Sequence, residues 1–354
     1  MSKNIRGVAQ VLLLVGVIAI VGILGFIFIS QRKDNTLTSV AKNITQILAT
    51  PTPTPFAFQK LTIPYLRGRE YESSLGDKET LSENSNYTSY LTSYLSDGLK
   101  VFGLLTIPKG DPLEAGWPAI VFVHGYIVPE AYRTEVNYNS YVDYLAKSGF
   151  VVFKIDLRGH GNSEGEPGGG YYSGDYIIDT LNAHAALQTS GFVNKDKIGL
   201  WGHSMAGNVV FRSFVAQSEV PAIVIWSGAG YTYSDLDEFS IEDTSYRAPP
   251  PDSEWARKRQ ELRETWGPFD PESTFWKQVI PTNYLDGVGG AIQLNHAVND
   301  NVVSIEYSRN LVSILDETDI VHELNEYQDG GHNLTGITFT QAMEKTVEFF
   351  KKNL

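Results

Sequence analysis

The chain is 354 residues long, room for one large domain or two ordinary ones. Apolar residues make up 42% and charged residues 19%, which excludes wholesale disorder. The 28 Lys and Arg against 41 Asp and Glu leave a formal charge of -13, the wrong sign for a nucleic-acid binder. Cysteine is absent, which removes disulfides, thiolate metal sites and thiol nucleophiles.

In chain order, a short tail over 1–7 leads into an uncharged apolar run over 8–29. A helix of that length spans about 33 Å, the thickness of a bilayer core, and exceeds the apolar region of a cleaved signal peptide. The expectation is a transmembrane anchor. Lys3 and Arg6 on one side nearly balance Arg32 and Lys33 on the other, so the charge rule leaves orientation close to a tie. A short leading tail favours a large domain on the extracytoplasmic side. Residues 30–58 form a linker ending near Thr52-Pro53-Thr54-Pro55, an extended spacer that holds a domain off a surface. Asn43-Ile44-Thr45 and Asn86-Tyr87-Thr88 fit the glycosylation pattern.

The domain occupies 59–354. Alternation at period two over 87–95 and 99–107, around Ser96-Asp97-Gly98, predicts a hairpin. A continuous apolar run predicts a strand buried on both faces at 119–123, and further strands are predicted at 150–155, 198–201, 222–226, 291–295 and 322–327. Helices are predicted at 136–147, 175–189, 206–216, 303–315 and 338–351. Regular strand–helix alternation gives an α/β fold with a mostly parallel central sheet and helices on both faces. An insertion at about 229–282 breaks the rhythm, with a helix predicted at 253–266. It holds Trp255, Trp266 and Trp276 and reads as a helical lid whose aromatic residues wall a pocket. Its acidic residues Asp235, Asp237, Glu238, Glu242 and Asp243 read either as a solvated face or as a site for a substrate amine.

Chemistry concentrates where strand 198–201 runs into Gly202-His203-Ser204-Met205-Ala206-Gly207 and a helix. A Ser at the apex of so sharp a turn needs small neighbours, because strand and helix pass close together. A serine hydroxyl needs a base, and the base an orienting carboxylate. His332, in the loop after the last strand, is placed to be the base. His296 is its rival but lies at a strand end better suited to the acid. Asp300, after strand 291–295, completes the order Ser204, Asp300, His332. The oxyanion donors are assigned to the amides of Met205 and Tyr126, with the Tyr126 ring as pocket wall. Asp156 to Ser163 reads as a structural turn braced by Asp156 and Arg158, since neither a phosphate-loop nor a dinucleotide pattern follows. No metal-ligand pattern appears, and neither cofactor nor metal is expected.

With His124-Gly125, Asp156-Leu157-Arg158-Gly159-His160-Gly161-Asn162-Ser163, the Ser204 turn, Asp300 and Gly331-His332 in this order, the chain resembles the α/β-hydrolase superfamily. Within it, the chain looks like the prolyl-oligopeptidase-like and dienelactone-hydrolase-like branch, over roughly 87–354. The resemblance implies an α/β-hydrolase fold and a serine hydrolase acting on a small ester or peptide substrate through an acyl-enzyme. Peptidase and carboxylesterase both stay open. A lipase or acylglycerol esterase, or a surface binding protein on the same fold, are the alternatives.

Overall fold

The computed structural model describes residues 55–112 and 114–354. The anchor expected at 8–29 and nearly all of the linker lie outside the described residues. Among the described residues, no helix is long and apolar enough to cross a membrane.

One nine-stranded sheet organises residues 57–354. Its strands are β1 (Glu79–Glu83), β2 (Tyr87–Ser96), β3 (Leu99–Pro108), β4 (Trp117–Val123), β5 (Val151–Ile155), β6 (Val193–His203), β7 (Ala222–Trp226), β8 (Ala291–Ala297) and β9 (Val321–Tyr327). The order is β1-β2-β3-β5-β4-β6-β7-β8-β9. The first three strands are antiparallel, β3 meets β5 antiparallel, and every pair from β5 to β9 is parallel. The hairpin closes at Asp97 and Gly98, both with positive φ, as the short turn requires.

Helices are α1 (Ile63–Gly68), α2 (Asn139–Lys147), α3 (Asp175–Gln188), α4 (Met205–Ala216), α5 (Asp235–Glu238), α6 (Glu254–Trp266), α7 (Trp276–Val279), α8 (Glu306–Leu315) and α9 (Ile337–Asn353). Side chains alternate across a strand, and β4 shows the result. Ala119, Val121 and Val123 join the core beneath α3, α4 and α8, while Ile120 and Phe122 join the one beneath α2 and α9. With both faces covered, β4 and β7 are apolar throughout, which is why 119–123 and 222–226 are legible as runs, whereas β5 and β8 also bury Lys154, Gln293, Asn295 and His296.

The differences from expectation have local causes. β1 was not foreseen, because Glu-Thr-Leu-Ser-Glu is an edge strand with only Leu81 shielded. β6 begins five residues early through the polar, partly exposed Asn194–Lys197 stretch. α2 starts at Asn139, since Tyr138 takes a left-handed backbone (φ 60°) that no helix continues. α8 starts at Glu306, because Val303 instead bridges Ile241 of the insertion.

The insertion has a small core of its own, in which Leu262, Phe275, Trp276 and Val279 pack with Leu61 and Tyr233. Trp266 stacks on Phe275 with ring centroids 4.6 Å apart. Asp156 and Arg158 brace their turn as expected. Arg158 grips buried Asp179 through Nε (2.9 Å) and Nη2 (2.6 Å), and Asp156 accepts from Tyr132 (2.6 Å) and Thr134.

Candidate active site

Ser204 joins β6 to α4 with φ 57° and ψ -123°, a conformation that costs a non-glycine residue roughly 1–3 kcal/mol. The surroundings fix it. Its N–H donates to Trp226 O at 2.9 Å, and its carbonyl accepts from Gly207 N at 2.8 Å. A methyl group on Gly202 would come within 2.6 Å of Ala206 O, and one on Gly207 within 2.7 Å of the Gly228 Cα. The steric demand read from the sequence is therefore real. It falls on Gly202 and Gly207, while the buried methyl of Ala206 is accommodated.

The loops after β8 and β9 bring Asp300 and His332 together, with His332 Nδ1 at 2.9 Å from Asp300 Oδ2. The other carboxylate oxygen accepts from the amides of Val302 (2.8 Å) and Val303 (3.0 Å). Burial alone raises the Asp300 carboxyl, but hydrogen bonds from His296 and His332, with the Val303 amide, outweigh it. The group is held well below the usual carboxylate range. An ionised carboxylate only accepts, so the proton of this bond is carried by His332 Nδ1.

His296 also reaches Asp300 Oδ2, at 3.2 Å. It is fully buried, with Nδ1 on Ser308 Oγ (2.8 Å) and Nε2 on Val303 O (3.0 Å). Both ring nitrogens are thus occupied inside the core. His332 keeps 14% of its side chain exposed and borders, with Ser204, a cleft of about 700 Å³.

Tyr126, Tyr138, Tyr141 and Phe339 give that cleft an aromatic wall, and Ser140, Asn333 and Thr335 supply polar groups. The Met205 amide opens α4 beside Ser204, and the Tyr126 amide lies in the loop after β4, next to β6 in the sheet. Among the described residues, neither amide donates to an acceptor in the chain. The Tyr126 ring is indeed a wall, and its hydroxyl also accepts from Arg247 N at 3.0 Å.

Two expectations about the insertion are corrected. Its tryptophans do not line the cleft. Trp255 donates to Gly168 O, Trp266 to Ala57 O at 3.0 Å, and Trp276 is buried in the satellite core. Nor do the acidic residues form one cluster. Asp235 is buried and caps its own turn through the amides of Tyr231 (2.7 Å) and Thr232 (3.1 Å), while Asp237 and Glu238 face solvent. Asp243 alone of the five borders the cleft, together with Ser245. They belong to a strap over 241–247, fixed at one end by the Ile241–Val303 bridge and at the other by Tyr126. No periodicity announces the strap, since it is held by partners far away in sequence.

Residues 118–258 match the family model described as Hydrolase_4, serine aminopeptidase, S33. The chain is 24% identical over 235 residues to the uncharacterized peptidase YtmA of Bacillus subtilis, covering 64% of this chain and 79% of that one. Among solved structures, an acetyl xylan esterase from Paenibacillus sp. R4 superposes with TM-score 0.56 at 18% identity, over 82% of this chain and 92% of that one. A puromycin-hydrolyzing peptidase of Mycobacterium tuberculosis gives 0.56 at 19% identity, over 77% of this chain and 40% of that one.

The sheet order, the strained serine turn and these likenesses define the α/β-hydrolase fold. Within that fold, residues 118–258 resemble the serine aminopeptidase family.

Proposed function

We propose that Ser204, Asp300 and His332 are the catalytic triad of a carboxylic-ester hydrolase. The observation that carries the triad is the Asp300–His332 pair, 2.9 Å apart, on the cleft that also holds the strained Ser204. His332 Nε2 takes the Ser204 proton as Oγ bonds to the substrate carbonyl carbon, and the carbonyl electron pair moves onto oxygen. The amides of Met205 and Tyr126 stabilise that oxyanion. Collapse of the intermediate expels the leaving group, which receives the proton from His332. Water then repeats the cycle on the acyl-enzyme while Asp300 holds the imidazole tautomer.

An ester rather than an aminoacyl substrate is favoured because the acidic residues of the insertion do not converge on the cleft. A free amine would meet one carboxylate there, Asp243, whose Oδ1 already accepts from Ser245 N at 2.8 Å. The peptidase reading rests on that single group and on the family likeness. Profiling the full chain on p-nitrophenyl esters and aminoacyl p-nitroanilides separates the two. The expected result is turnover of neutral esters, with Asp243→Asn leaving the ester-to-anilide ratio within about twofold. Preferential cleavage of anilides, abolished by Asp243→Asn, overturns the ester assignment.

Residues 8–29 are proposed, from their length and lack of charge, to anchor the domain in a membrane, with the hydrolase on the extracytoplasmic side. Resistance to carbonate extraction supports the anchor, and release of the intact chain by carbonate contradicts it.

A further inference from the structure

Three loops converge on the cleft, and a single line of hydrogen bonds runs through all of them. Gly125 N–H, in the loop after β4, donates to Tyr138 Oη at 3.0 Å. Tyr138 Oη lies 2.7 Å from His203 Nδ1, and His203 Nε2 lies 2.8 Å from the backbone oxygen of His332. A carbonyl only accepts, so Nε2 carries the proton. In the neutral ring Nδ1 is then an acceptor, and the Tyr138 hydroxyl donates to it. Every bond points the same way, from the oxyanion loop through the residue beside Ser204 to the histidine loop. Burial, with the nearby His332, pulls the His203 imidazole down to about 3, so the ring stays neutral at ordinary pH.

The site is built tightly around this line. His203 is 2% exposed, and its ring centroid lies 4.6 Å from that of His332. A methyl group on Gly125 would meet Tyr138 Oη at 2.8 Å and His203 O at 3.0 Å, so only glycine leaves room for the contact. Tyr138, with a left-handed backbone (φ 60°) just before α2, sets its ring 5.6 Å from that of His203 at the end of β6. Because Gly125 spends its amide on Tyr138, the next amide, Tyr126, is the one left for the substrate oxygen.

Resting on the triad reading above, we propose that Tyr138 and His203 are positioning residues that hold the oxyanion loop and the His332 loop in register around Ser204. Their hydrogen bonds go to the Gly125 amide, to each other and to the His332 carbonyl, so they act through those two loops. Loss of the line lets the donor and the base drift by a fraction of an ångström, which lowers the chemical step more than binding.

The test uses the full chain, p-nitrophenyl acetate and the rate of fluorophosphonate labelling. Tyr138→Phe removes one oxygen and keeps the ring. It should lower kcat and the labelling rate by roughly tenfold while KM changes less than about twofold and the melting temperature holds. His203→Gln keeps a donor for the His332 carbonyl and should retain several-fold more kcat than His203→Leu. Wild-type kcat in Tyr138→Phe, or equal losses in His203→Gln and His203→Leu, overturns the proposal. So does a kcat loss that merely follows a fall in melting temperature. Ser204→Ala, run in parallel, separates the layers. Labelling that survives there defeats the triad and the positioning pair together. A silent Ser204→Ala with an unimpaired Tyr138→Phe defeats the positioning pair alone.

Discussion

Two histidines contact one carboxylate oxygen, and their surroundings divide the labour. His296 is enclosed, bonded to Ser308 and Val303, and holds Asp300 from behind. His332 meets the same oxygen from the cleft side. Asp300→Asn should cut kcat by about 10⁴-fold, because the amide favours the wrong imidazole tautomer. His296→Asn removes a support and should cost nearer tenfold, measured as kcat on a p-nitrophenyl ester with folding checked by circular dichroism. Equal losses in His296→Asn and His332→Ala would exchange their roles. From sequence, His332 and Asp300 were legible because each follows a strand at the end of the sheet where ligands bind. The second contact to Asp300 was not, since a buried histidine at a strand end carries no mark of its partner. Tyr138 was hidden in the same way, inside what reads as the first turn of a helix.

The insertion separates into two elements with different work. Its helical part, with Leu262, Phe275 and Trp276, is a satellite core, and the Trp255 indole fastens it to Gly168. Trp255→Ala should therefore lower stability by about 2 kcal/mol, read from urea midpoints, without changing acyl-chain preference. The strap over 241–247 is the part that touches the cleft. Tyr126→Phe releases its far end and should change the ratio of kcat/KM for butyrate over acetate esters by several-fold. If Trp255→Ala moves that ratio and Tyr126→Phe does not, the pocket is walled by the helices after all. The sequence showed that an excursion existed and that it was aromatic. It did not show which way the rings face, because the tryptophans sit among neighbours supplied by Leu61, Gly168 and Ala57, remote in the chain.

Across the whole molecule, the buried runs that define the parallel sheet are the most legible feature. Strands covered on both faces, such as β4 and β7, are largely apolar, whereas polar edges such as β1 and the start of β6 follow from pairing alone. The same coverage shuts histidines away from water. Burial lowers His124, takes His184 down to about 4 and, helped by His332, takes His203 down to about 3. In the unfolded chain these rings take up protons near pH 6.5, and in the folded chain they do not. The unfolded state thus binds more protons below about pH 6.5, so stability falls as pH drops from there toward 4. Each ring contributes a slope of about 1.4 kcal/mol per pH unit in that window. Urea midpoints should be level from pH 8 to 7 and decline between pH 6 and 5. A midpoint unchanged down to pH 5 would mean that these rings are reached by water.

If bond cleavage passes through the Ser204 hydroxyl, peptide mapping of the full chain after reaction with a fluorophosphonate locates it. One adduct is expected, on the peptide containing Gly202-His203-Ser204-Met205, lost in Ser204→Ala and strongly slowed in His332→Ala. An adduct on any other residue, or one that persists at full yield in Ser204→Ala, would contradict cleavage through Ser204.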